Sequence, residues 1–398
     1  IGDIERAAEE QLRALRATQS SLAAAALQSP QELLSMVVTQ LSTGAEALSA
    51  FGPWMLAEFP DFPPEVLLDA IAGAGVDPEM VGAQCPWNRR VRRKAQMRGV
   101  VLHLFSGVSN REFKEVAHAH GHVYMGVDVA QDLARPATWA WLLRAASQGC
   151  IRAVMGGPPC RTFSLCRHFA PGPPPLRSPE CPYGLSTNSA VDQAKVRHDD
   201  GLFLRMLALY AVAKAAGPTE PFFLLEQPQC PSSYLSDPEL AKEAPSFWKT
   251  PAWLRFQAQH NLHLFDVCQG ALGHSKKKPT TLASNTFCPV DSPVFRATPQ
   301  EAAQYAREQG QRASKDKGMT SSSWAAWAPG LCRLIQFSLG GCLTSQKQQL
   351  RDQISRVRSG EAPEGSSRKG GTRSSGPLTV ASRLCHVCCR RFQIEAAP

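Results

Sequence analysis

The residue best placed to do chemistry in this 398-residue chain is Cys160. It follows the run Ile151-Arg152-Ala153-Val154-Met155-Gly156-Gly157-Pro158-Pro159, a short apolar β-type segment ending in two glycines and two prolines. Prolines fix φ and disfavour αR in the residue before them, so this strand cannot flow into a helix. Glycines let the chain turn tightly and let another group approach closely. The outcome is a stiff loop holding one thiol at a strand end, which in an open α/β sheet is where ligands bind. Taken alone, the stretch reads equally well as a Pro-rich turn carrying an ordinary buried cysteine.

Three other polar features also end apolar, strand-like runs. Val100–Phe105 leads into Ser106-Gly107, His122–Val127 ends in Asp128, and Phe222–Leu225 ends in Glu226. Helical stretches are predicted between them, at Arg111–His120 and Trp139–Ala146, with Ile151–Met155 as the third strand. This β-α-β-α-β order predicts an α/β fold: a Rossmann-like, doubly wound, mostly parallel sheet. All four features would then converge at the carboxyl edge of the sheet. An acidic residue such as Asp128, about 20 residues past the first loop, is the usual partner of ribose hydroxyls. The pattern G-x-G-x-x-G is absent, so a nucleoside-type cofactor without a deep pyrophosphate cradle fits best.

The set L-F-S-G, G-G-P-P-C-R-T-F-S, L-L-E-Q-P and G-H-S-K-K-K-P-T-T-L resembles the ordered motifs of cytosine-C5 DNA methyltransferases. The resemblance covers roughly residues 100–285, with a weaker echo at Ala328-Pro329-Gly330-Leu331-Cys332. Gln227 stands where the family has Asn, Arg161 where it has Gln, and Lys where its basic motif has Arg. Val108-Ser109-Asn110 replaces the family's glycine-rich continuation. The lysine-rich motif is also similar to methyltransferase-like segments carried by mobile elements.

The resemblance implies a reaction. Cytosine C5 is a poor nucleophile until a thiolate adds to C6, and Cys160 matches that nucleophile. Glu226 matches the carboxylic acid that assists at N3, a role that calls for burial to keep the proton. Lys276 and Lys278 would hold the base or its phosphate. S-adenosylmethionine is the implied cofactor, with Phe105 stacking on its adenine, Asp128 on its ribose and Asp132 reaching its amine. Ser106, Gly107 and Pro158 would line the same pocket. The implied partner is DNA, with RNA also open, and the target base must be flipped out or single-stranded. The competing expectation is a degenerate, non-catalytic nucleic-acid-binding module derived from a mobile element.

The elements that must position these residues set the domain expectations. Residues 1–80 hold three basic and twelve acidic residues, a net of −9, while the whole chain is +9, leaving +18 on the remainder. We therefore expect an acidic helical extension at 1–88, free for packing or a protein partner, ahead of a basic body that suits a polyanion. Leu12, Leu15 and Leu22 mark a first helix there. Ser29-Pro30-Gln31-Glu32 is a capping box opening a second, and Pro64–Ala74 suggests another. Arg89, Arg90, Arg92, Arg93, Lys94 and Arg98 read as a basic linker at 89–98, a phosphate contact or a nuclear address.

The methyltransferase-like domain is expected at 99–345. Within it, residues 165–200 read as a long loop and Leu202–Ala215 as a helix stopped by Gly217. Helices are also expected at Pro238–Glu243, Ala252–Gln259, Pro299–Gln309 and Leu331–Leu339. Strands at His263–Cys268 and Thr280–Ser284 bracket the basic turn. Residues 346–398 read as a flexible basic tail. Its cluster Cys385-His386-Val387-Cys388-Cys389 lacks a second ligand pair, so half of a truncated zinc knuckle or a tail with free thiols is expected rather than a complete zinc site. His118, His120 and His122 read as surface residues, and Cys166 has a redox role only as a minor alternative. Thirteen cysteines without framework spacing fit reduced intracellular thiols. No signal peptide is visible, and no run reaches the roughly 18 apolar residues of a membrane span.

Overall fold

The computed structural model describes residues 29–44, 48–75, 81, 83–107, 111–169, 172–315 and 326–359. The helix expected around Leu12–Leu22, the segment Val108-Ser109-Asn110 and the Cys385 cluster lie outside the described residues.

Six strands form one sheet: β1 (Val100–Leu104), β2 (Val123–Val127), β3 (Ile151–Gly156), β4 (Phe222–Pro228), β5 (His263–Cys268) and β6 (Pro279–Ser284). Their spatial order is β2-β1-β3-β4-β6-β5. The β2–β1, β1–β3 and β3–β4 pairings are parallel, while β6 runs antiparallel to both β4 and β5. The expected mostly parallel α/β sheet is therefore present, with one opposed strand near an edge. The chain leaves β1 toward β2 and returns to the other side of β1 as β3. The carboxyl ends of β1 and β3 thus flank a topological switch point, the place where open α/β sheets bind ligands.

Both faces of the sheet are covered. One face (Val100, Leu102, Leu104, Phe223 and Leu225) meets α6 (Pro136–Ser147) and α7 (Ala190–Ala216) in a single buried cluster. The other (Val101, Ala153, Met155, Phe222 and Leu224) meets α5 (Arg111–Ala119) and α11 (Pro329–Ser359). Strand alternation predicts this split, because successive side chains point to opposite faces. Ile151 and Val154 nevertheless share a face. The register shift between Val100 and Val101 against β3 absorbs the extra residue, as a bulge does.

The N-terminal helices are not a detached extension. α1 (Pro30–Thr43), α2 (Phe51–Glu58) and α3 (Pro64–Ala74) pack over α6, α7 and α9 (Pro251–His260) within the first cluster. Trp139 Nε1 donates to the Ala70 carbonyl at 2.8 Å, deep in that contact. The acidic residues find basic partners in the body: Asp69 pairs with Arg205 at 2.7 Å and Asp61 with Arg255 at 2.8 Å. Buried Glu58 meets His260 at 3.3 Å. Part of the charge asymmetry is therefore neutralised inside the molecule, and of the two expected roles, packing or partner contact, these contacts are packing.

Three expected boundaries change. Residues 89–98 are a helix, α4 (Arg89–Arg98), not a linker; the Asn88 side chain caps it by accepting from Val91 N–H. Helix α7 begins at Ala190, capped by Ser189, so the long loop ends eleven residues before residue 200. The tail expected from 346 is helical as far as Ser359. Buried Gln346 donates to the carbonyls of Arg152 and Glu220 at 3.1 and 2.9 Å, which fixes that stretch against the sheet. The remaining helices are α8 (Pro238–Glu243) and α10 (Pro299–Lys315). Among the described residues no helix is long and apolar enough to cross a membrane.

Candidate functional site

Cys160 lies four residues beyond the end of β3 and is half-buried. Each glycine before it has a reason. A Cβ at Gly156 would run into the Leu104 carbonyl oxygen on β1, so glycine lets β1 and β3 approach here. A Cβ at Gly157 would sit 2.7 Å from Glu226 Oε2, so glycine leaves room for that carboxylate. The loop is then pinned by its neighbour strand: Gln227 Nε2 donates to the Pro158 carbonyl at 2.6 Å.

Below the loop lies a buried ionic layer. Asp199 and Asp200 are adjacent on α7 and buried. Arg161 reaches Asp199 at 2.8 Å, and Thr162 donates to the same carboxylate at 3.1 Å. Arg177, 1% exposed, pairs with Asp200 at 2.8 Å, donates to Thr162 Oγ1 at 3.0 Å and stacks 4.1 Å over the Phe163 ring. Thr162 and Phe163 are thus held from beneath immediately after the thiol.

Glu226 lies within β4, one residue past Leu225, the partner of Gly156 at the end of β3, and is 7% exposed. Its Oε1 accepts from Gln269 Nε2 at 3.0 Å and lies 3.4 Å from Lys278 Nζ. Oε2 faces Gly157 and receives no hydrogen bond from a described residue. The same Gln269 donates to Thr280 at 3.0 Å and accepts from the Ala328 backbone N–H at 3.0 Å. Burial and the neighbouring Glu226 carboxylate push the Cys160 thiol up to about 11, against the pull of the Lys278 ammonium. Cys160, Glu226 and Lys278 therefore form one electrostatic group. Lys276 does not join it: its side chain is exposed and its backbone bonds to His274.

The ends of β1 and β2 are built differently. Phe105 has a left-handed φ of 56° and is half-buried; Gly107, also left-handed at 63°, is exposed. Ser106 packs against Gly126, where a Cβ would sit 2.8 Å from its hydroxyl. Asp128 uses its backbone to cap the following turn, accepting from Asp132 N–H at 2.8 Å and Gln131 N–H at 2.9 Å. Among the described residues its carboxylate has no ion-pair partner. Asp132 is engaged locally: its carboxylate accepts from Ala134 N–H at 3.0 Å and lies 4.0 Å from Arg135. Pro158 is buried, with its carbonyl taken by Gln227.

The structure thus brings Cys160, Glu226 and Lys278 together, and sets Phe105, Ser106, Gly107 and Asp128 along the adjoining stretch of the same edge. Four contributors escape sequence reading: Gln269, Trp327, His103 and Tyr124. His103 stacks on Trp327 with ring centroids 5.0 Å apart and shares a 2.9 Å hydrogen bond with Tyr124. Burial pushes its imidazole down to about 3, so it is neutral. Trp327 Nε1 lies beside Gly157. The only sequence signal for this group is the motif echo beginning at Ala328, whose N–H holds Gln269.

Fold and site together define an α/β protein with a thiol–carboxylate–ammonium group at the carboxyl edge of its sheet. No protein-family model, no curated protein and no solved structure matches the chain.

Proposed function

We propose that this protein is an S-adenosylmethionine-dependent methyltransferase acting on C5 of cytosine in DNA, on a Rossmann-like sheet. The observation that carries the reading is the pairing of Cys160 with Glu226: one Glu226 oxygen is fixed by Gln269 and Lys278, and the other faces Gly157 without a partner among the described residues. A carboxyl oriented in this way suits the ring nitrogen of a base whose C6 meets the thiol.

The residues present fit a nucleoside cofactor at the switch point. The open Asp128 carboxylate suits ribose hydroxyls, half-buried Phe105 offers a ring face, and Gly107 leaves the crevice without a side chain. When bound, the cofactor supplies the methyl group as an electrophile. The Cys160 thiol gives its proton to solvent and its sulfur bonds to C6, while the C5–C6 π pair moves onto C5 and makes it nucleophilic. Glu226 holds a proton at N3 as charge develops on the ring. After transfer, solvent water takes the C5 proton, the C5–H pair re-forms the C5–C6 π bond, and the C6–S bond breaks, returning the thiolate. Lys278 favours the thiolate, while the Glu226 carboxylate opposes it until it is neutralised. The thiol is thus held back without substrate, and base binding that places a proton between Glu226 and N3 removes the opposing charge.

The basic helix α4 is assigned to a nuclear address, since five of its cations, Arg89, Arg90, Arg93, Lys94 and Arg98, are exposed. A second reading is a non-catalytic nucleic-acid-binding relic of a mobile element. The high thiol position favours it, because a neutral thiol is a poor nucleophile. Incubation with S-adenosylmethionine and DNA containing 5-fluorocytosine separates the two: the enzyme forms a denaturation-resistant adduct, and the relic does not.

A further inference from the structure

Six residues past Glu226, at Ser232, the chain enters a cleft of about 480 Å³ that the reaction above does not use. Its polar lining is Ser178, Ser232, Ser236, Ser246, Lys242 and Lys249, and no acidic side chain lines it among the described residues. Lys249 Nζ donates to Ser232 Oγ at 2.9 Å, which aims the ammonium across the cleft wall. Ser246, 8% exposed, has a buried hydroxyl without a well-formed hydrogen bond, and the thiol of Cys230 lies against it. Ser246 also lines a narrow crevice beside Phe163 and Gln227, the residues that flank and pin the Cys160 loop. Ser246 is therefore shared between the cleft and the crevice that runs past Phe163 and Gln227.

Two ammonium groups and several hydroxyls without carboxylates suit phosphate oxygens: the hydroxyls donate hydrogen bonds and the lysines supply charge. We propose that this cleft seats the phosphodiester backbone of the nucleic-acid strand whose base is presented to Cys160. The inference rests on the methyltransferase reading for the identity of that strand, and on the cleft itself for its chemistry. It assigns Lys242 and Lys249 as backbone-positioning residues, with α4 at the opposite, amino edge of the sheet taking no part.

The test is anisotropy of a fluorescein-labelled, cytosine-containing single-stranded DNA across a salt series, using the full chain. Both lysines are exposed, so K242A/K249A is expected to fold normally. Loss of two phosphate contacts on a single strand makes the slope of log K against log salt shallower by about 1.4, roughly a 25-fold weakening at 0.1 M salt. R93A/K94A on α4 leaves the slope unchanged. The DNA also protects Cys230 from iodoacetamide in the wild type and fails to do so in K242A/K249A. An unchanged slope in K242A/K249A, an equal loss in R93A/K94A, or no DNA binding by the wild type overturns the inference. The 5-fluorocytosine adduct reads the reaction separately. A shallower slope without an adduct keeps the cleft and sinks the methyltransferase; an adduct with an unchanged slope does the reverse.

Discussion

The carboxyl edge of the sheet has two halves made in different ways. At β3 and β4 each functional group is held by side chains distant in sequence: Gln227 on Pro158, Gln269 on Glu226, and the Arg161–Asp199 and Arg177–Asp200 pairs under the Cys160 loop. At β1 and β2 the groups are placed by local turns, with left-handed Phe105, Gly107 and Asp132, and the Asp128 carboxylate is left open. A covalent step needs its reacting atoms fixed before substrate arrives. A cofactor can bring its own hydrogen-bonding groups and complete a looser pocket. The contrast explains why rigidity and burial concentrate on one side of a single edge.

The contrast predicts unequal consequences of mutation. The largest effect short of removing the thiol is expected from Glu226→Gln: methyl transfer falls about 10²–10⁴-fold, the range for a lost general acid. The same change removes a charge that raises the Cys160 thiol, so iodoacetamide should modify Cys160 faster than in the wild type. A slower reaction together with a more reactive thiol is a signature that simple misfolding does not produce; slower alkylation would contradict the pairing.

Next in size is the ionic layer. Arg177→Met leaves Asp200 buried without its partner, which costs about 3–5 kcal/mol. Urea denaturation should show that loss, and a midpoint near the wild type would mean the pair does not hold the loop. Gln269→Ala unpairs Glu226, Thr280 and the Ala328 N–H together, with an expected cost of about 1–3 kcal/mol in the same experiment.

On the open half, Asp128→Asn should leave stability within about 0.5 kcal/mol, since no described partner is lost. Cofactor affinity by calorimetry should fall roughly 10-fold, as for a hydrogen bond to a charged group. A large loss of stability there would erase the distinction between the halves. The smallest effect compares two thiols. Cys230 is held below the ordinary thiol value because hydrogen bonding to Ser232 and the Lys249 charge help outweigh its burial, whereas Cys160 lies near 11. At pH 8 the larger thiolate fraction at Cys230 outweighs its lower intrinsic nucleophilicity, so peptide mapping should find Cys230 alkylated faster than Cys160.

Much of the edge was legible because polar residues end apolar runs. Glu226 stands out after Phe222-Phe223-Leu224-Leu225, and Gly156-Gly157-Pro158-Pro159 announces a turn before Cys160. Gln269 was not legible, since nothing in a lone glutamine reveals that β6 inserts between β4 and β5 and carries the chain end of β5 toward Glu226. The first turns of α7 were read as loop because Asp199 and Asp200 are buried there by Arg161 and Arg177, and buried charge defeats an apolar-stripe pattern. Helix α2 was missed because Gly52 and Pro53 suppress a helical reading, although proline is tolerated in a first turn. The acidic N-terminal helices were read as made for packing or a partner, and the surface they pack on was hidden because Asp61 and Asp69 pair with arginines more than 130 residues away.

The central claim is that Cys160 adds covalently to cytosine. The most direct measurement is a denaturing gel of the protein with S-adenosylmethionine and DNA containing 5-fluorocytosine, for the wild type and Cys160→Ala. The account predicts a shifted band in the wild type that disappears in Cys160→Ala. A wild type that binds the DNA and the cofactor yet gives no band, or a band that survives Cys160→Ala, would contradict it.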